Sequence, residues 1–148
     1  RSILADPRNP DIINYVNKKI KIRDFWMPFA PSILDKYLNK YIKNNNNALP
    51  YHMTYSYDAT ELAKKHIPAA LHPFDKTTRP QIVTNKLNSD YYSLIKEFCN
   101  LTGVGALLNT SFNLHGEPIV SDPKSALKTF KKSGLKFLYM DEYLVEKK

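Results

Sequence analysis

The stretch that most constrains the architecture is residues 104–113, where an apolar run (Val104, Gly105, Ala106, Leu107, Leu108) gives way to Asn109, Thr110, Ser111, Phe112 and Asn113. The apolar part has the length of a short strand buried on both faces, and such a strand needs cover on both sides of its sheet. A helix is predicted immediately before it, over 89–100, with Tyr91, Leu94, Ile95 and Phe98 turned inward and Gly103 as terminator. Helix, strand and helix in succession rule out all-helical and all-β readings. The remaining segments alternate without a strict βαβ rhythm. The expected fold is therefore α/β, or mixed α+β: a twisted open mixed sheet with packed helices, formed as one domain over residues 1–148.

Asn9 followed by Pro10 reads as a helix start, and Ile12, Ile13 and Val16 recur at helical spacing until about Lys18. Lys19, Ile20, Lys21, Ile22 and Arg23 then alternate basic with apolar, which in an extended chain sends three cations to one face. A second helix is expected over 35–42 after the proline-bounded piece 28–31, and 44–47 reads as a polar loop. Tyr51, Met53, Tyr55 and Tyr57 alternate like a strand, and Asp58 with Glu61 resembles a capped helix start. Further extended pieces are expected at 69–72 and 79–84. Asp122 and Pro123 should open a last helix that buries Ala126, Leu127 and Phe130 and stops at Gly134. A hairpin over 135–140 and 143–146 closes the chain.

The 22 Lys plus Arg against 14 Asp plus Glu leave a formal charge of +8, which attracts polyanions without choosing among them. Most of that excess is lysine. The few arginines, Arg1, Arg8, Arg23 and Arg79, are more informative because the guanidinium fork matches phosphate and carboxylate. Cys99, the single cysteine, is expected as a small buried residue in a reducing, cytoplasmic setting. No apolar run approaches the ~20 residues of a membrane helix, so no membrane partner is expected. The opening at Arg1 reads as a piece of a longer polypeptide.

Three constellations could carry chemistry. Lys19, Lys21 and Arg23 sit one pleat apart and would repel unless an anion is shared, although a charged edge strand would look the same. Asn109, Ser111 and Asn113 would share a face at the carboxyl end of a strand, where open α/β sheets place ligands, although turns are rich in the same residues. His72, Asp75 and Arg79 gather a titratable ring, a carboxylate and a guanidinium in one loop, which a surface ion pair would also explain. His52, His66 and His115 lack metal-ligand spacing, so no protein-built metal site is expected. A Walker loop, a dinucleotide fingerprint and a nucleophile elbow are all absent.

In order along the chain, the segment from Arg1 to Arg8, Lys21 with Arg23, Pro28-Phe29-Ala30-Pro31-Ser32, His72 with Arg79-Pro80-Gln81, and the segment from Asn109 through Asn113 to Gly116-Glu117-Pro118 resemble the carboxyl-terminal domain of NodU/CmcH-type carbamoyltransferases. The resemblance covers nearly the whole chain, and Lys21-x-Arg23 with Ser111-x-Asn113 is similar to the paired signatures of YrdC-like domains. It implies a YrdC-like fold and an ATP- and carbamoyl-phosphate-binding domain that forms carbamoyl adenylate. An N-terminal transfer domain of the same polypeptide would then move the carbamoyl group to a hydroxyl. It also implies Lys21, Arg23 and Arg79 as catalytic cations and Arg1, His72, Thr110, Ser111 and Asn113 as nucleotide-binding residues. Mg2+ would arrive with the ATP. One departure stands out: the family reads Phe-Arg-Pro-Phe-Ala-Pro where this chain has Trp26-Met27-Pro28, so Met27 replaces an expected arginine. The stretch between His72 and Arg79 is also a residue longer than the usual family version. The competing reading is a non-catalytic basic module for RNA, nucleotide or its own upstream domain. Nucleic acid is not the expected partner, because the tyrosine stripe that would stack bases reads better as core.

Overall fold

A computed structural model describes residues 1–22, 24, 27–44 and 48–147, the side chain of Lys19 excepted. Arg23, Trp26 and residues 45–47 of the expected polar loop lie outside the described residues. The framework is a four-stranded open mixed sheet of order β1-β6-β2-β5. It comprises β1 (Ser2–Ala5), β2 (Ala30–Leu34), β5 (Gln81–Val83) and β6 (Ala106–Ser111). β6 runs antiparallel to both β1 and β2, and β2 runs parallel to β5. Two small antiparallel pairs accompany it, β3 (Tyr57–Asp58) with β4 (Thr77–Thr78), and the hairpin of β7 (Phe137–Met140) with β8 (Tyr143–Glu146). The α/β expectation, a mixed open sheet with packed helices, is what the chain adopts.

The period-2 rule sorts the sheet into two faces. On one, Leu107 lies with Leu34 and Val83 against Ile95 and Cys99 of α4 (Ser89–Thr102). On the other, Leu108 and Ile3 join Val16 of α1 (Asp11–Val16), Ala126 and Phe130 of α5 (Pro123–Lys132), and Leu138 of β7. Farther along that face, Ile33 and Ala106 meet Tyr41 of α2 (Leu38–Tyr41) and Ala63 of α3 (Glu61–His66). Burying a Leu, Ile or Phe from each layer contributes about 1.5–3 kcal/mol apiece, so helices are fixed on both faces of β6.

Several local signals hold. α4 ends at Gly103 with φ +76°, and the Asp122 carboxylate accepts from the Ser125 N–H in a capping box at the start of α5. Cys99 is buried, as expected. Other expectations are corrected. Residues 17–21 are a π-helical turn continuing α1, so 19–21 are helical rather than extended, with Ile22 N–H donating to Asn17 O. Helical continuation puts Ile20 one turn beyond Val16 on the same core face, which overrides the local alternation. Ile20 and Lys21 are consequently both buried, and Ile22, at φ +46°, is exposed.

Tyr51, Met53 and Tyr55 form bends instead of a strand. Met53 has φ +57° and Tyr55 is exposed, so only Tyr57 enters a ladder. Thr60 rather than Asp58 caps α3, and residues 68–70 form a 3-10 turn rather than an extended piece. The helix expected over 35–42 is a 3-10 turn at Asp35–Tyr37 followed by α2. Leu94 and Leu127 face solvent. Strand β2 was hidden by its proline: β5 pairing begins at Ser32, so Pro31, with no N–H to donate, precedes it.

Candidate functional site

The carboxyl end of β6 meets the π-helical turn. His115 ties the two together: its N–H donates to Ile20 O at 3.0 Å, and its Nδ1 lies 2.8 Å from Lys21 O. The loop carrying His115 is closed by Val120 N–H to Phe112 O at 3.0 Å and turns at Gly116, φ +73°. These constraints aim the Lys21 side chain at β6. Its ammonium donates to Ser111 O at 2.6 Å, Ser111 Oγ at 2.9 Å and Asn113 Oδ1 at 2.5 Å. Ser111 Oγ in turn donates to Asn113 Oδ1 at 2.7 Å, and Asn113 Nδ2 donates to Glu117 O at 2.7 Å. Lys21 is 4% exposed, whereas Ser111 and Asn113 are half-buried and open toward solvent. Arg1 lies alongside, its carbonyl accepting from Phe112 N–H at 3.0 Å and its side chain exposed.

One pleat back on the same face of β6, a second polar group spans three strands. Ser32 Oγ of β2 donates to Gln81 Oε1 of β5 at 3.0 Å, and Asn109 Nδ2 of β6 donates to Ser32 Oγ at 3.0 Å. A longer contact of 3.4 Å runs from Asn109 Nδ2 to Gln81 Oε1. The Tyr91 ring of α4 packs beside them, and burial pushes its phenol up to about 12, a shift that contact with Ser32 only partly opposes. Gln81 and Tyr91 also line a cleft of about 540 Å³ together with Tyr51, His52, Thr84 and Asn88.

The structure thus brings Arg1, Lys21, Ser111 and Asn113 to one end of the sheet. Arg79 is exposed in the segment that leads into β5, two residues before Gln81. Thr110 is buried on the opposite face from Ser111, paired with Ile3. His72 sits on a separate loop with Nδ1 3.1 Å from Asp75 Oδ1. There the Asp75 carboxyl is held below its usual range, first by the Thr77 N–H and hydroxyl and then by His72. No described contact joins His72 or Arg79 to Lys21, and Arg23 lies outside the described residues. Sequence reasoning overlooked His115 as an anchor, and Ser32, Gln81 and Asn109 as a unit. His115 and Lys21 are 94 positions apart, so no local pattern announces their contact. Ser32 and Gln81 do stand inside conspicuous Pro-containing motifs, the one signal that could have flagged them.

An ammonium beside a hydroxyl and an amide, at a strand end with an arginine nearby, suits oxyanion groups such as phosphate. Among the described residues no group of three or more His, Cys, Asp or Glu could hold a metal ion, and no helix is long and apolar enough to cross a membrane.

Residues 1–147 match the family described as carbamoyltransferase C-terminus. The chain is 39% identical over 152 residues to the uncharacterized protein MJ1058 of Methanocaldococcus jannaschii, covering all of this chain and 24% of that protein. It is 36% identical over 150 residues to nodulation protein NolNO of Sinorhizobium fredii, covering 100% of this chain and 22% of the relative. The identity is again 36% over 150 residues to nodulation protein NolO of Bradyrhizobium diazoefficiens, at 100% and 27%. The chain therefore spans only about a quarter of the length of these curated relatives.

Proposed function

This chain belongs to the carbamoyltransferase C-terminal family, and from that premise we propose that it is a YrdC-like domain that binds ATP and carbamoyl phosphate and forms carbamoyl adenylate. In balanced form, carbamoyl phosphate, ATP and one water give carbamoyl adenylate, pyrophosphate and phosphate. The observation that carries this reading is the convergence of the Lys21 ammonium on Ser111 and Asn113 at the carboxyl end of β6. Joining two anions requires cations that screen their repulsion and stabilise charge developing on phosphorus. Lys21 fills that role, with Arg23 and Arg79 as further cations. Ser111, Asn113 and the exposed Arg1 contact the phosphates. We assign no ligand contact to the Thr110 side chain, which faces the core, or to His72, which is bound up with its own loop. Mg2+ travels with the triphosphate, since it keeps most of its waters and needs few protein ligands. Transfer of the carbamoyl group to an acceptor hydroxyl falls to the rest of a longer polypeptide.

Calorimetry of the chain with Mg-ATP tests the site. Weak binding is expected, lost in Lys21→Ala and Ser111→Ala while circular dichroism reports an intact fold. Binding that survives both substitutions places the nucleotide elsewhere. In the longer polypeptide, carbamoyl-phosphate-dependent release of pyrophosphate should fall with the same substitutions.

A further inference from the structure

We infer that Ser32, Gln81 and Asn109 form a subsite for the carbamoyl group, which reads its amide edge and rejects acyl phosphates that lack the N–H. The inference rests on the phosphate assignment at Lys21 and Ser111 made above.

Within the group, the Ser32 hydroxyl proton, Gln81 Oε1 and Asn109 Nδ2 are engaged with one another. Among the described residues, the Gln81 Nε2 donors and the Asn109 Oδ1 acceptor have no side-chain partner. Gln81 and Asn109 are half-buried and Ser32 is fully buried, so the group has a fixed base and an accessible rim. That rim offers one amide donor near one carbonyl acceptor. A carbamoyl group carries the complementary pair, a C=O that accepts and an NH2 that donates.

Distance then separates the candidate ligands. Asn109 and Ser111 lie two residues apart on one strand, which places their side chains about 7 Å apart on the same face. In carbamoyl phosphate the amide atoms lie only about 3–4 Å beyond phosphorus, and a hydrogen bond adds about 3 Å. A phosphate at Ser111 therefore delivers its own carbamoyl group to Asn109, whose amide lies 3.4 Å from that of Gln81. A nucleobase edge also presents a donor beside an acceptor, but a ribose separates it from the phosphates and carries it past this pleat. The base then has the adjoining cleft walled by Tyr51, His52 and Tyr91.

Acetyl phosphate matches carbamoyl phosphate in shape and charge, with CH3 in place of NH2. In the subsite its methyl group would strip water from Asn109 Oδ1 without replacing the hydrogen bond, a penalty that hydrogen-bonding sites use for discrimination.

The test is titration of the full 148-residue chain with carbamoyl phosphate, acetyl phosphate and inorganic phosphate. Unmodified protein should bind carbamoyl phosphate about tenfold more tightly than acetyl phosphate. Gln81→Met, and independently Asn109→Ser, should bring that ratio close to one, with the melting curve reporting the fold. Equal affinities in the unmodified chain, or a preference that persists in both folded variants, overturns the subsite. Lys21→Ala should weaken all three ligands together. If it weakens none, the phosphate assignment falls instead, so the two failures are distinguishable.

Discussion

Replacing Lys21 with methionine separates what its ammonium contributes to stability from what it contributes to binding. The nitrogen makes three hydrogen bonds, to Ser111 O, Ser111 Oγ and Asn113 Oδ1, in a residue only 4% exposed. Three charge-assisted bonds taken separately would be worth about 5–9 kcal/mol, most of the stability of an ordinary domain. The structure argues for far less. Ser111 Oγ and Asn113 Oδ1 keep each other at 2.7 Å after the substitution, so one carbonyl loses most. Methionine also removes the cost of desolvating an ammonium, several kcal/mol before it is compensated. The net loss should be about 1–3 kcal/mol, or roughly 2–12 °C in melting temperature for a chain of this length. Differential scanning calorimetry of Lys21→Met reads the stability, and titration with inorganic phosphate reads the binding. Phosphate affinity should drop about ten- to a hundredfold, the worth of one charge-assisted bond, since a bound phosphate takes over one of the three ammonium N–H groups that Ser111 and Asn113 hold without it. A variant that fails to fold would show that the three bonds add independently. A melting temperature that rises would show that desolvation outweighs them. A large loss of stability with unchanged phosphate affinity would reduce Lys21 to a structural strut.

Three further outcomes are expected. In Gly105→Ala the new Cβ would sit 2.4 Å from the Tyr37 ring, about 1 Å inside contact. Calorimetry should therefore show a loss of about 1–3 kcal/mol, and an unchanged melting curve would mean that the ring moves freely. Tyr41 and Tyr91 are both pushed up to about 12, chiefly by burial, whereas phenols of the unfolded chain titrate near about 10. Since the folded state then holds protons that the unfolded state has released, stability should be complete below about pH 10 and fall as pH rises toward 12. Tyrosinate absorbance followed alongside denaturation checks this, and ionisation of every tyrosine near pH 10 without unfolding would sink it. Met27 is 36% exposed, so Met27→Arg can restore the cation expected by resemblance without overpacking. In an active longer polypeptide it should lower the carbamoyl phosphate requirement roughly ten- to a hundredfold in a pyrophosphate-release assay. No change there would mean that position 27 makes no anion contact.

The sequence by itself determined the elements whose signals are local. The long helix before Gly103, the strand that follows, the Asp122 cap and the closing hairpin each depend on residues within a few positions of one another. It also exposed the Lys21, Ser111 and Asn113 pattern, because the residue types at those spacings resemble a known family. Tertiary structure decided the rest. The run from Lys19 to Arg23 alternates like a strand, yet burial of Ile20 in one cluster with Leu108 and Phe112 holds residues 17–21 as a helical turn. The tyrosines at 51–57 alternate too, yet only Tyr57 finds a pairing partner, since a strand requires a neighbour that local sequence does not supply. The union of Ser32, Gln81 and Asn109 depends on sheet register, with Ser32 opposite Gln81 on one side and Leu107 on the other. Register is set by which faces the helices bury across the whole chain, so those three polar residues become neighbours only once the core has closed.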